Sequence, residues 1–311
     1  MPRGARVGTS LDDALAVLRR GGLVGIPTET VYGLAADACN EQAVRRIFAA
    51  KGRPADHPLI VHIADATSVD RWARDLPPAA EVLASACWPG PLTLLLRRSQ
   101  DVLDVVTGGR DTVGVRVPSH PLTSELLVRF GGGLAAPSAN LFGQVSPTTA
   151  AHVVDDLGEL VDYVLDGGAC PIGVESTIVD CTATPPQILR PGGIPAEQIA
   201  ELLGGSTGTA AGASRAPGML RAHYAPRARV VLAGSSVEAA ALAGEGPGVL
   251  IVDRTGDLVE YARELYSDLR HADELGVATI IAVLPSPAGL GHAIRDRLAK
   301  AAAAGAPIND R

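Results

Sequence analysis

Hydrophobic positions along this chain change their period many times, and each change marks an element. Leu11, Ala14, Leu15 and Leu18 recur at helical spacing behind Ser10, which can cap the helix with Asp13 three residues on. Val44, Ile47 and Phe48 repeat the pattern within 41–50. Further helices are predicted over 78–88, 121–130, 148–157 and 195–203. Between them lie apolar runs of strand length at 23–26, 59–63, 92–96, 133–136, 163–165, 176–180 and 187–190. Residues 112–117 alternate strictly: Val113, Val115 and Val117 on one face, Thr112, Gly114 and Arg116 on the other.

From 204 to 216 the composition turns to Gly, Ser, Thr and Ala, a linker that continues through Pro217-Gly218-Met219 and His223-Tyr224-Ala225-Pro226. Beyond it, strands at 230–232, 249–252 and 279–284 share the segment with helices at 258–270 and 291–304, which predicts a small open α/β domain. The expected organisation is a first domain over 1–204, a linker over 205–228 and a second domain over 229–311.

Composition narrows the classes. The chain has 311 residues, enough for two domains with an ample core in the larger. It is 47% hydrophobic but only 3% aromatic, so Ala, Val, Leu and Ile must build that core. A formal net charge of -7 argues against a broad basic surface for nucleic acid. Cys39, Cys87, Cys170 and Cys181 form no CxxC pair, which disfavours a zinc knuckle and fits small apolar core residues in a reducing compartment. No apolar run approaches a membrane span and the first residues lack a signal-like h-region, so a soluble cytoplasmic protein is expected.

The chemistry-bearing residues gather at predicted strand and helix ends, where ligands collect in open α/β sheets. Lys51-Gly52-Arg53-Pro54 follows a helix; it reads equally as a solvated helix end or as a fixed cationic edge for phosphate. His62 and Arg116 lie on strands, and a cation among valines needs a carboxylate partner or a ligand carboxylate. A structural pair is the favoured reading of Arg116. Ser138-Ala139-Asn140 follows a strand, and turn chemistry explains it as well as ligand binding does. Glu29 reads as a structural or solvated loop residue rather than a general base. No GxSxG, GxxxxGK[ST] or convincing GxGxxG is present. The residues alone reach an enzyme or binder for an anionic small molecule, a nucleotide for preference.

Pro27-Thr28-Glu29-Thr30-Val31-Tyr32-Gly33-Leu34, Lys51-Gly52-Arg53-Pro54, Pro58 to Ile63, Val115-Arg116-Val117-Pro118, Ala136 to Asn140, Glu175-Ser176-Thr177-Ile178 and Leu189 to Gly192 resemble, in order, the blocks of the YrdC-like family. The linker with His223-Tyr224-Ala225-Pro226 resembles its long, two-domain form. The resemblance implies a YrdC-like twisted mixed sheet with helices, plus a small Rossmann-like α/β C-terminal domain. It also implies an L-threonylcarbamoyladenylate synthase, a nucleotidyltransferase using L-threonine, bicarbonate and ATP with Mg2+. Its product would pass to a transferase complex that modifies tRNA next to the anticodon, without strong direct tRNA binding. By resemblance Tyr32, His62, Arg116, the backbone at Ala136 and Ser176 would hold threonine. Arg53, His57, Thr112, Ser138, Ser146, Arg190 and Tyr224 would hold ATP. Thr28, Lys51 and Asn140 would line the cavity, with Lys51, Arg53, Ser138 and Asn140 the catalytic set. Position 57 departs from the family's usual Asn. The rival readings are an RNA-binding or ribosome-assembly module and another carbamoyl-adenylate-forming carbamoyltransferase.

Overall fold

Short, uniformly apolar strands are buried on both faces and demand helices on both sides of their sheet. The structure is a computed structural model that describes residues 6–205, 207–209, 215–220, 222–244 and 248–304. Parts of the predicted linker, the first five residues of the first predicted domain, and residues 245–247 and 305–311 of the second lie outside the described residues.

The first part carries strands β1 (Arg6–Gly8), β2 (Val24–Ile26), β3 (Gly33–Asp37), β4 (Ile60–His62), β5 (Leu92–Arg97) and β6 (Thr112–Arg116). It continues with β7 (Leu134–Ala135), β8 (Tyr163–Leu165), β9 (Thr177–Asp180), β10 (Gln187–Arg190) and β11 (Gly208–Thr209). Its helices are α1 (Leu11–Arg19), α2 (Glu41–Lys51), α3 (Pro78–Cys87), α4 (Asp104–Thr107), α5 (Pro121–Phe130), α6 (Ala150–Leu157) and α7 (Ala196–Leu202). The strands form one mixed sheet in the order β1-β8-β2-β3-β7-β4-β6-β5-β9-β10-β11. Parallel pairing of β4 with β6 sets His62 opposite Arg116, and antiparallel pairing of β4 with β7 sets His62 opposite Leu134. Strand ends bearing polar groups therefore meet at the middle of the sheet.

The second part alternates β12 (Arg229–Ala233), α8 (Ser236–Ala243), β13 (Val249–Val252), α9 (Leu258–Glu274), β14 (Thr279–Val283) and α10 (Gly291–Ala304). Its parallel sheet runs β12-β14-β13. One apolar cluster joins Tyr261, Tyr266 and Leu298 of this part to Val31, Val145 and Val174 of the first, with the linker's Tyr224 between them. The two parts thus share a core rather than meeting at a wet seam.

Five elements escape the sequence reading: β1, β3, β11, α4 and α8. Strand β3 reads GLAAD, residues with little strand preference. Helix α8 reads SVEAAALA and leaves Val237 and Leu242 exposed, so it has no one-sided apolar stripe to detect. Helix α9 runs past the predicted end at 270, because Ala272 is still buried. Cys87, Cys170 and Cys181 are buried as expected, but Cys39 is exposed. No helix among the described residues is long and apolar enough to cross a membrane.

Candidate active site

Helix α2 ends where Gly52 enters the left-handed region at φ 61, with Gly52 N donating to Ala49 O and Arg53 N to Phe48 O. The turn throws Arg53 back over the sheet. Its Nη2 donates to Pro58 O at 3.0 Å and its guanidinium lies 5.6 Å over the Phe142 ring. Burial lowers its pKa to about 10. Lys51 does not sit at a solvated helix end. It is 2% exposed, and its Nζ donates to Ser138 O at 2.6 Å and to Asn140 O. Asn140 in turn donates through Nδ2 to Leu141 O and Gln144 O. Neither residue lines the cavity described below; together they hold the loop that presents Ser138. Burial drives the Lys51 pKa well below its ordinary value, with Arg53 adding to the effect.

The opposite wall is Ser176 with Arg190. Gly192 lets these strands close up: a Cβ there would sit 2.3 Å from Glu175 O. Arg190 donates to Ser176 O from Nε at 3.1 Å and from Nη2 at 2.9 Å, and Nη2 reaches Ser176 Oγ at 3.1 Å. Ser176 Oγ also meets Thr93 Oγ1 at 2.8 Å.

Between the walls, alternation along β4 sends Ile60 and His62 to the cavity face. Arg116 finds the carboxylate expected of a buried strand cation: its Nη2 lies 2.7 Å from Glu29 Oε1, with both side chains under 8% exposed. Glu29 is thus structural and buried, and its Oε2 accepts from Ser119 N at 3.1 Å. Yet Arg116 also faces the cavity, with Glu29 behind it and outside the lining. His62 is held neutral, its pKa lowered to about 3 by burial and by Arg116, and its buried Nδ1 has no hydrogen-bond partner among the described residues. Thr28 Oγ1 donates to Val31 O at 2.6 Å and so shapes the turn that brings Glu29 inward.

Arg53, His62, Arg116, Ala136, Ser138, Ser176, Arg190, Thr28 and Tyr224 surround one cavity of about 50 Å³. Ala136 has already given its N–H to Ile60 O. His57 lies in an adjoining lobe with Arg53, Phe142 and Leu220; burial and Arg53 lower its pKa, which favours the neutral ring. Three expected contacts stand elsewhere. Tyr32 is fully buried behind the cavity, its hydroxyl donating to Gly168 O and accepting from Gly167 N. Ser146 is buried and reaches the cavity only through Glu175, to which its Oγ donates at 2.7 Å. Thr112 begins β6 and Arg116 ends it, about 13 Å apart in an extended strand.

Linker residues Pro217, Gly218, His223 and Tyr224 close the cavity's outer side. Gly218 is required there: a Cβ would stand 2.8 Å from Tyr224 Oη and 3.0 Å from Arg190 Cδ. Tyr224 is buried in the left-handed region at φ 61, a strained conformation for a residue with a large side chain. Lys300 of α10 donates to Gly218 O at 2.6 Å, and Arg190 Nη1 to Pro217 O at 3.2 Å. Glu175, which also lines the cavity, is the residue that sequence reasoning misses. Its carboxylate receives Ser146 Oγ, Tyr266 Oη of α9 and Arg297 Nε of α10. It heads one of the ordered blocks, but nothing in the sequence gives it a role, because two of its three partners lie more than ninety residues away.

The comparisons with known proteins agree over nearly all of the chain. A family model described as Sua5/YciO/YrdC, telomere recombination, matches residues 16–192, and one described as threonylcarbamoyl-AMP synthase, C-terminal domain, matches 194–303. The threonylcarbamoyl-AMP synthase of Pyrococcus abyssi is 44% identical, over 93% of this chain and 92% of that one. The Bacillus subtilis protein of the same name is 41% identical over the same shares. The crystal structure of P. abyssi Sua5 complexed with L-threonine superposes with a TM-score of 0.88 at 43% identity, covering 95% of this chain and 94% of that one.

Proposed function

The chain belongs to the Sua5/YciO/YrdC family, in the form that carries the threonylcarbamoyl-AMP synthase C-terminal domain, and from that premise we propose that it makes L-threonylcarbamoyl-AMP. L-threonine and bicarbonate, or dissolved CO2, give a carbamate on the threonine nitrogen. A carbamate oxygen attacks the α-phosphorus of ATP, the α–β bridging bond breaks, and pyrophosphate leaves. The reaction is a nucleotidyl transfer, and its nucleophile comes from the substrate.

The observation that carries this reading is the charge balance of the cavity. Among the described residues Arg116 has a carboxylate partner, whereas Arg53 and Arg190 have none within ion-pair distance. Two unspent guanidiniums facing one enclosed space suit crowded phosphate and carboxylate charge, and such catalysis is largely positioning and neutralisation. Arg116, His62, Ala136 and Ser176 are assigned to threonine, with Tyr32 supporting them from behind. Arg53, Ser138, Arg190 and Tyr224 are assigned to ATP, with His57 in the adjoining lobe and Ser146 and Thr112 more remote.

Glu175, which lines the cavity, is already engaged by Arg297, and Glu29 behind the wall by Arg116; no cluster of three or more His, Cys, Asp or Glu among the described residues suits a metal. That donor set fits Mg2+ arriving on the triphosphate, where it would add countercharge. A pocket of about 50 Å³ is far below the roughly 300 Å³ or more of small-molecule sites. The linker therefore acts as a lid that opens to admit ATP and closes over it. The product would pass to a transferase acting on tRNA in the cytoplasm.

The test is pyrophosphate release from ATP and Mg2+, with threonine and bicarbonate omitted in turn. Release that needs both supports the assignment; release indifferent to either one sinks it.

A further inference from the structure

Glu175 places a carboxylate in the wall of a cavity assigned to anions, which is the wrong charge for the task. The structure resolves this from outside the first domain. Arg297 enters on α10, fully buried, and its Nε donates to Glu175 Oε2 at 2.7 Å. Tyr266 on α9 donates to the same carboxylate at 2.8 Å, and Ser146 from the first domain at 2.7 Å. Burial alone would raise the Glu175 pKa, but Arg297 and Arg190 overcome it and hold the value at about 2.

We propose that Arg297 is a positioning residue for ATP: by claiming Glu175 it leaves Arg190 an uncompensated cation facing the triphosphate. The inference rests on reading the cavity as an ATP site. Arg190 is the other cation near Glu175, and it is anchored on Ser176, the next residue in the chain. Its hydrogen bonds go to Ser176 and Pro217, not to the carboxylate. Without Arg297, Glu175 would be a buried unpaired anion, and neutralising Arg190 is its nearest remedy. The charge of Arg190 would then be spent on Glu175, and of the two free cations facing the cavity Arg53 would remain. Arg297 keeps further capacity, since its buried Nη2 has no hydrogen-bond partner among the described residues. Its guanidinium also lies 5.2 Å over the Tyr224 ring, so the residue that neutralises Glu175 supports the lid as well. The C-terminal domain thus completes the charge pattern of a site it does not line.

The test compares the full-length protein with Arg297→Met, Arg297→Lys and the double variant Glu175→Gln/Arg297→Met. Readouts are ATP affinity by calorimetry, KM for ATP and for threonine, and melting temperature. Arg297→Met should lose about tenfold or more in ATP affinity, with threonine KM moving less than about threefold. Arg297→Lys should keep most of the affinity, and the double variant should regain it because the offending carboxylate is gone. Wild-type ATP affinity in Arg297→Met overturns the proposal, as does an equal loss for both substrates. Should Arg297→Met not fold, the double variant decides: it buries no lone charge, and a tenfold loss of ATP affinity there overturns the idea. A wild-type protein that binds no ATP sinks the functional reading and this inference together; wild-type turnover with an unaffected Arg297→Met sinks this inference alone.

Discussion

Two buried Arg–Glu pairs flank the cavity, and each has its charged atoms 2.7 Å apart. Arg116–Glu29 is made entirely inside the large sheet's domain, between β6 and the turn after β2. Arg297–Glu175 is made across the two domains, between α10 and the segment entering β9. The local chemistry is the same, but the first pair exists whenever the sheet is folded and the second only when the domains have docked. A cavity with one wall built each way is complete only in the assembled chain, and Pro217 and Gly218 over it are fastened to both halves by Arg190 and Lys300.

The largest effects should come from breaking either pair. Arg116→Ala and Arg297→Ala each strand a buried carboxylate, at a cost of about 3–5 kcal/mol. Urea denaturation should show Arg116→Ala as one transition at a lower midpoint. Arg297→Ala should instead separate the transition of the C-terminal domain from the rest. Identical single transitions would erase the distinction drawn here.

Arg53→Ala tests a cation that belongs to neither pair. It should reduce turnover by roughly 10²-fold, about 2.7 kcal/mol of transition-state stabilisation, while the melting temperature holds. Unchanged kinetics would return Arg53 to a role in ending α2.

Acid sharpens the comparison next. The Glu175 pKa is depressed from 4.5 to about 2, so the cross-domain pair stabilises fully above pH 4.5 and is lost as pH falls towards 2. His62 and His223 are depressed from 6.5 to about 3 by burial, so their contribution is complete above pH 6.5 and wanes from there down to 3. In the upper window the unfolded chain takes up protons that the folded one refuses, a slope of about 1.4 kcal/mol per pH unit for each histidine. Replacing His223 with Gln should flatten the decline between pH 6.5 and 5 by that amount. A decline that begins only below pH 4.5 in the wild type would contradict the neutral histidines.

The smallest effect is a control. Arg45–Glu41 on α2 is also close, at 2.5 Å, but its side chains are 61% and 54% exposed. Arg45→Ala should change stability by no more than about 0.5 kcal/mol. A larger loss would mean that burial is not what separates the flanking pairs from the rest.

Much of this was legible beforehand. Alternation along 112–117 put Arg116 on its own face and demanded a carboxylate. The resemblance to the family's ordered blocks marked Arg53, Ser138, Ser176 and Arg190, and all four face the cavity. Lys51 and Asn140 belong to the same blocks, yet they hold the loop from behind. Spacing places a residue near a site but does not say whether its side chain turns into the cavity or into the neighbouring carbonyls. Tyr32 differs from its expected place for the same reason, its hydroxyl being taken up by Gly167 and Gly168.

The sequence by itself determined most of the elements, their apolar faces and the cations near strand and helix ends, because these follow from local periodicity and turn chemistry within a few residues. Only the tertiary structure decided that Glu29 pairs with Arg116, that Glu175 is claimed by α9 and α10, and that Tyr224 closes the cavity. Each joins residues some thirty to more than a hundred positions apart. A buried charge accepts whichever partner the fold delivers, and that choice is made by packing between distant segments rather than by any pattern along the chain.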